Sequence, residues 1–464
     1  MLPNESDSMD TITRQIAEYA SSLSFEELDT ATVAAATQRL IDTLGCAVGA
    51  HDCEPAQIGR RIAQGQAAGQ YPGYVICHGG EAPLEIASFI NTAMIRNLDF
   101  NDRYPGGHPS DCLGALLAYA GATTIDGRRL LAAMTVAYEI FARLADAAKL
   151  SRRGWDQGFG IALSTAAALC NLLRLSCDET AHAIGIAATS SLPLRVTRSG
   201  ELTPWKNAAT AYAVRNGVFA ALLAREGMVG PGNAFEGRNG LWENVTGAFE
   251  LPAFPSRGGE PLTPKVQIKY WPVETNGQPV IVAGLKLREL TDARDLKEIE
   301  VFTSKFAWFE IGSEPEKWDP RTRETADHSL PFILARTLVD GTLTVASFRA
   351  EAVLDPSLRP LMAKIKVTVD DAIEAMLPDM ALRIVATTER GARHVVEVGN
   401  PLGHPNNPMH DEHVGEKFTT LARPVIGEAR SAEALACWWR MPDAADMRPL
   451  IRLLEPRSDS HPSP

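Results

Sequence analysis

A chain of 464 residues with 45% hydrophobic and 22% charged side chains is too long for one simple core and has the make-up of a globular protein of roughly two or three units. Its net charge of -12, with no lysine or arginine run, argues against nucleic acid as a partner, because phosphate binding needs a basic surface. No apolar stretch reaches the ~18–20 residues that span a bilayer. The opening MLPNESDSMD lacks signal-peptide or transit-peptide character, so a cytoplasmic protein with no membrane partner is expected.

From about Asp10 to Arg225 the pattern is helical and rich in alanine. Leu131, Met134, Ala137, Phe141 and Leu144 recur at three- and four-residue intervals, which predicts one buried stripe. The polar segment NLDFNDRYPGGHPSD, Asn97 to Asp111, interrupts this pattern between two apolar helical runs, and Pro105, Gly106 and Gly107 forbid a continuous helix through it. Asp99, Asp102, Arg103 and His108 can therefore converge on one cavity, with the histidine as the natural proton carrier. The alternative is a solvated loop in which Ser110 and Asp111 cap the next helix. Further on, TRSGELTPWKNAATAYAVRNG sets Lys206 at a helix start with Arg195 and Arg198 close in sequence, a group able to clamp carboxylates; the competing role is that of exposed surface cations.

Gly and Pro thicken after Arg225, and between about Pro264 and Asn400 shorter β-rich runs appear: KVQIKYW, EIEVFTSKF, TLTVASF, KIKVTVD, LRIVATT and HVVEVG. Helical segments such as VIVAGLKLREL separate them, which predicts an α+β unit. Lys269 stands at the end of the first run, before a turn holding Glu274, Asn276 and Gly277. In KWDPRTRETADHSLPF, Asp327 and Ser329 read as helix caps and His328 as a structural histidine. After GNPLGHPNNPMHDEH the pattern returns to helix before a tail, EPRSDSHPSP, expected to be disordered. His404, His410 and His413 have the spacing of metal ligands, but Asp411 and Glu412 between them suit the first turn of a helix, and no metal site is expected. The seven cysteines never form CxxC and read as free thiols, which also argues against an iron–sulfur cluster. P-loop, GxSxG, HExxH and complete GxGxxG motifs are missing from the sequence.

Taken in order, LDFND with HPSD, GWDQ from Gly154 to Gln157, PWK followed by RNGVFAALLAREGMVGP and FEG, KYWP, ETADHSLPF and NPMHDEHVGEKF cover nearly the whole chain and resemble the MmgE/PrpD family. The resemblance implies a mainly α fold: a large all-helical domain formed by residues 1–263 and 401–464, a smaller α+β domain inserted at 264–400, and an active site between them. It places Asp99 and His108 at catalytic positions, Lys206 at the cationic position of PWK, and Lys269 at the cleft in KYWP. Arg103, Asp102, Arg198 and Asp156 are the expected substrate-binding residues. The implied activity is a cofactor-independent hydro-lyase acting on 2-methylcitrate or a related hydroxy-tricarboxylate, in a homodimer. The alternatives are a decarboxylase, a C–H epimerase, or a noncatalytic metabolite-binding homologue.

Three positions depart from the family pattern. Arg103 replaces a common threonine, Gln157 a common histidine after the GWD aspartate, and Asn276 a common histidine after KYWP. The expected chemistry is proton removal beside a carboxylate. Lys206, Lys269 and Arg103 would meet the developing charge, His108 would move the proton, and Asp99 would orient or acidify its partner.

Overall fold

The computed structural model describes residues 9–456. Residues 1–8, and all of the tail expected to be disordered except Glu455 and Pro456, lie outside the described residues. The chain is mainly helical, and three of its helices begin where a short acidic side chain takes up a free amide. Asp10 accepts from the Thr13 N–H at 2.7 Å to open Thr11–Ser22, Asp29 from Thr32 at 2.6 Å to open Thr30–Gly49, and Asp126 from Arg129 at 2.8 Å to open Gly127–Ala148. The Leu131 to Leu144 stripe is fully inside, with no member more than 2% exposed.

Small residues let these helices approach closely. Trp205–Arg225 packs against both Leu84–Asn97 and Gly158–Leu173. At Gly217 a Cβ would sit 2.4 Å from the carbonyl oxygen of Ala162, so the backbones meet without room for any side chain. This contact lies in the second half of Trp205–Arg225, the helix whose first turn carries Lys206.

The buried apolar residues gather into two large clusters. One runs from Ile12 to Ile268 and resumes from Met409 to Leu454; the other holds residues from Val273 to Val398. A two-stranded hairpin, β1 (Pro72–Tyr74) and β2 (Glu81–Pro83), interrupts the helices of the first cluster and was not foreseen from the sequence. The second cluster is built on a four-stranded sheet of β3 (Leu296–Thr303), β4 (Ile365–Val369), β5 (Leu382–Thr388) and β6 (Arg393–Val398), in the order β4-β3-β5-β6. Only the β3–β4 pair is parallel, and it requires the long crossover through the helices between them. Leu382, Ile384, Ala386 and Thr388 alternate inward along β5, as a half-buried strand demands.

Two runs expected as strands are not strands. In KVQIKYW the backbone groups are taken by partners from elsewhere: Arg39 donates to the carbonyls of Pro264 and Val266, Ile268 N–H donates to Gly403 O at 3.2 Å, Lys417 donates to Lys269 O at 2.8 Å, and Gln278 accepts from Tyr270 and Trp271 N–H. A single antiparallel bridge, Arg103 to Gln267, is all the pairing that remains. In TLTVASF, Thr344 N–H donates to Ser347 Oγ at 3.1 Å and Ser347 N–H returns to Thr344 O at 3.0 Å, closing the 3-10 turn Val345–Phe348. Among the described residues, no helix is long and apolar enough to cross a membrane, and all seven cysteines are free.

Gly217→Val should destabilise the fold by about 1–3 kcal/mol through overpacking against Ala162. The urea midpoint measures it, and an unchanged midpoint would show that the two helices separate without cost.

Candidate active site

The connection after Leu84–Asn97 turns sharply at Asp99, whose φ of +48° lies in the left-handed region that short polar side chains tolerate better than most. The turn carries its carboxylate into the interior, where it is 1% exposed. Three cations converge there: Arg96 and Lys206 on Oδ1, the latter at 3.1 Å, and Lys269 on Oδ2 at 2.9 Å. Lys269 also donates to the Asp99 carbonyl at 2.7 Å. Burial alone would raise the Asp99 carboxyl, but the field of Arg96, Lys206 and Lys269 outweighs it and holds the group well below the usual carboxylate range. Burial lowers both lysines, Lys206 to about 8, with Asp99 opposing the shift in each.

His108 hangs from the same connection. Its Nδ1 lies 2.6 Å from the carbonyl oxygen of Asp102, which assigns the N–H to Nδ1 and leaves Nε2 with its lone pair. Burial first, then Arg96 and Lys269, push its pKa well below the ordinary imidazole value, so the ring is neutral near pH 7.

The connection is anchored inward. Ser110 and Asp111 do not cap the next helix: Ser110 donates to Asp102 Oδ1 through Oγ at 2.6 Å and through its N–H at 3.2 Å, and Asn101 donates to Asp111 at 2.9 Å. Burial raises Asp102 to about 7 and Asp111 to about 6.

One cleft is lined by Asp99, Arg103, His108, Arg198 and Lys269 among the expected residues. The other three do not line it. Lys206 is fully buried behind Asp99, Asp102 lies beneath His108 on Ser110, and Asp156 sits behind Arg198, which holds its carboxylate at 2.5 Å. Lys206 is therefore engaged by a carboxylate of the protein, which also offsets the cost of a cation in the first turn of Trp205–Arg225. The cleft is also lined by Arg195, which the sequence grouped with Lys206 and Arg198 as a possible carboxylate clamp, by Gln157, Glu274 and His328, which it named without a site role, and by Arg96 and Glu310, which it did not single out. Arg195 pairs with Glu310 at 2.5 Å, joining the turn Arg195–Arg198 of the first cluster's side to the helix Lys305–Ile311 beside the sheet. Gln157 packs on Gly107, where a Cβ would fall 2.0 Å from its Oε1, and its buried Nε2 has no partner among the described residues. Asn276 turns onto Glu274 instead, donating to it through N–H at 2.6 Å and Nδ2 at 3.2 Å.

His328 lines the cleft, its Nδ1 2.5 Å from Asp327 Oδ1, while Ser329 is the N-cap of Leu330–Asp340, accepting from Phe332 N–H at 3.1 Å, and Asp327 is the C-cap of Arg323–Ala326. The signal for Arg96 was a lone cation in an apolar helix, three residues before Asp99. Lys417, in the HVGEKF segment, braces the site from behind, reaching Asp42 at 2.5 Å and the carbonyls of Phe100 and Lys269 at 2.8 Å each.

Among the described residues, Asp99, Asp327 and His328 form the one group with metal-ligand atoms within 4.8 Å of one another. Both Asp99 oxygens already serve cations, so a divalent ion there would meet like charge. His404, His410 and His413 do not gather: His404 accepts from Asn406 N–H, and His413 from His410 N–H.

Asp102 carries a pH signature. Its folded value near 7 lies above the ordinary 3.9 of an unfolded chain, so ionisation costs stability: the penalty is absent below about pH 4, grows as pH rises, and is complete above about 7. Asp102→Asn should therefore gain on the parent chain between pH 5 and pH 8, by about 2–3 kcal/mol. Urea denaturation at the two pH values reads this, and an equal difference at both would remove Asp102 as a buried titrating group.

Comparison with known proteins finds two family models in order along the chain. The MmgE/PrpD N-terminal domain matches residues 14–253 and the MmgE/PrpD C-terminal domain residues 271–440. The chain is 26% identical to 2-methylcitrate dehydratase of Salmonella typhi, over 79% of this chain and 80% of that protein. It is 31% identical to alkylcitrate dehydratase phiI of a fungal species, over 68% and 66% respectively. It is also 26% identical to the cis-aconitate decarboxylase-like protein oryM of Aspergillus oryzae, over 96% and 97%. With both domain models matched in sequence order, the chain belongs to the MmgE/PrpD family.

Proposed function

We propose that the chain is a cofactor-independent lyase that removes water from 2-methylcitrate or a related hydroxy-tricarboxylate. The observation that carries this is the sign of the cleft: Arg96, Arg103, Arg195, Arg198 and Lys269 line it against the carboxylates of Asp99, Glu274 and Glu310, with Lys206 behind, in a chain of net charge -12. Positive charge concentrated in one hollow of an acidic protein suits a polyanionic substrate. The names of the relatives from Salmonella typhi and the fungal species point to the same class.

The geometry supports a division of roles. Arg103 is held by its backbone bridge to Gln267, and its guanidinium has no ion-pair or hydrogen-bond partner among the described residues, so it is free to take a substrate carboxylate. Lys269 faces the negative charge that spreads onto the carboxylate oxygens when the adjacent carbon loses its proton. His108 Nε2 accepts that proton. Asp99, ionised throughout the working pH range, keeps Arg96, Lys206 and Lys269 in register and does not itself exchange protons. Asp102 positions His108, and Asp156 positions Arg198. The inserted α+β unit over 264–400, closing the cleft from the side opposite the helices, belongs to this same proposal.

The decarboxylase-like relative, which aligns over 96% of the chain, makes loss of CO2 the second reading. Incubation with a panel of hydroxy- and unsaturated tricarboxylates, followed by proton and carbon NMR, decides between them. A new alkene with all carboxylates retained is expected; a product one carboxylate short would favour decarboxylation, inversion at a C–H centre epimerisation, and binding without turnover a noncatalytic homologue.

Two variants test the roles. His108→Ala is expected to lower turnover about 10²- to 10⁴-fold at saturating substrate. Lys269→Met should cost about 10²- to 10³-fold in turnover. Because three cations surround one carboxylate, it should leave the melting temperature unchanged or higher. A large drop in stability together with activity would make Lys269 a structural residue.

The homodimer is likewise proposed. Trp205, Tyr212 and Phe219, about half exposed, repeat every seven residues and form one apolar stripe along Trp205–Arg225. Phe219→Glu should shift a dimer to monomer in light scattering; a parent chain that is already monomeric would discard the dimer.

A further inference from the structure

An elimination moves two protons in opposite senses: one leaves carbon, and one must reach the departing hydroxyl. His108 accounts for the first. The arginines of the cleft do not release protons at neutral pH, and the ammonium groups of Lys206 and Lys269 are spent on Asp99. One other imidazole lines the cleft among the described residues, that of His328.

His328 is built as a proton carrier. It sits between the helices Arg323–Ala326 and Leu330–Asp340, and its Nδ1 lies 2.5 Å from Oδ1 of Asp327, a fully buried carboxylate. That contact assigns the N–H to Nδ1, fixes the plane of the ring, and leaves Nε2 for a ligand. Asp327 is itself fixed: its carbonyl accepts from Glu274 N–H at 2.9 Å. A carboxylate behind an imidazole stabilises the protonated ring whenever something in front of it favours that charge.

The charged groups acting on the ring are Lys206 from Trp205–Arg225, Asp327 on its own segment and Asp99 from the connection after Leu84–Asn97, and the same cleft is lined by Arg96, Arg103, Arg195, Arg198, Lys269, Glu274 and Glu310. Without a ligand, burial first and then Lys206 prevail over Asp327 and Asp99, and the pKa falls to about 4. A polycarboxylate in the cleft brings several negative charges beside Nε2 and reverses the balance.

We propose that His328 is the proton donor of this site, loaded from solvent when a polycarboxylate binds and held in position by Asp327. The inference rests on the lyase reading above. In the step, His108 Nε2 takes the proton from the carbon beside a carboxylate, and the C–H electron pair becomes the new C=C bond. The C–O bond breaks as Nε2–H of His328 protonates the hydroxyl, and water leaves. His108 then carries the extra proton and His328 has lost one, and exchange with solvent restores both. His328 thus supplies an imidazole to a site in which Gln157 offers only a carboxamide.

The test separates loading from turnover. Propane-1,2,3-tricarboxylate has three carboxylates and no hydroxyl to lose, so it reports binding alone. Calorimetric titration of the full chain at pH 7, in buffers of different ionisation enthalpy, counts the protons taken up. Uptake approaching one proton is expected for the parent chain and for His108→Gln, and close to none for His328→Gln. With an accepted substrate, His328→Gln should lower kcat about 10²- to 10⁴-fold while KM changes only a few-fold. Asp327→Asn, which keeps the ring but removes the charge behind it, should move the alkaline limb of the kcat profile to lower pH. Matching circular dichroism and melting curves guard against misfolding, and Asp327→Asn provides the same answer if His328→Gln does not fold. Proton uptake or kcat unchanged in His328→Gln overturns the proposal. Absence of turnover by the parent chain on every acid overturns the dehydration reading instead, and the uptake measurement still decides the role of His328.

Discussion

The site depends on one buried carboxylate that holds three cations. Asp99 is almost wholly removed from water, as are Arg96, Lys206 and Lys269 around it. Burial of four charges is costly, and the cost is offset only because the carboxylate uses both oxygens and the adjacent carbonyl to meet its partners. The sum is still positive. That residual charge belongs to the protein and not to a ligand, and it is spread along a cleft that an anion can enter.

The same field sets the state of the imidazoles. Arg96 and Lys269 help keep His108 neutral, and Lys206 does so for His328, in each case adding to the effect of burial. A neutral His108 with its Nδ1–H committed to a backbone carbonyl is ready to accept a proton on Nε2. In the proposed reaction the cations that would meet the substrate are thus the same ones that help keep the proposed base neutral.

Scaffold and site are joined at few places. The tight meeting of Gly217 with Ala162 fixes the helix that carries Lys206. Lys417 ties helix Asp411–Ile426 to Asp42, to the Asp99 connection and to Lys269 at once. Across the mouth, the Arg195–Glu310 pair links the helical side to the sheet side. At two of the three positions that the resemblance marks as departures, donors have no protein partner among the described residues: the Arg103 guanidinium and the Gln157 Nε2. Asn276 satisfies itself on Glu274.

The sequence by itself determined the helices and four of the expected strands, because apolar periodicity and caps such as Asp29 and Asp126 act between near neighbours. It also marked Asn97 to Asp111 as the break in the helical pattern, since Pro105, Gly106 and Gly107 leave no alternative. Only the tertiary structure decided which cations meet Asp99: Lys206 and Lys269 lie 107 and 170 residues away in the chain. It decided as well that Lys206 stands behind the cleft, that His328 lines it, and that KVQIKYW is no strand, because Arg39, Gln278, Gly403 and Lys417 claim its backbone. A charge's neighbours, a ring's exposure and a peptide's hydrogen-bond partner are set by distances in space, and local spacing along the chain carries no record of them.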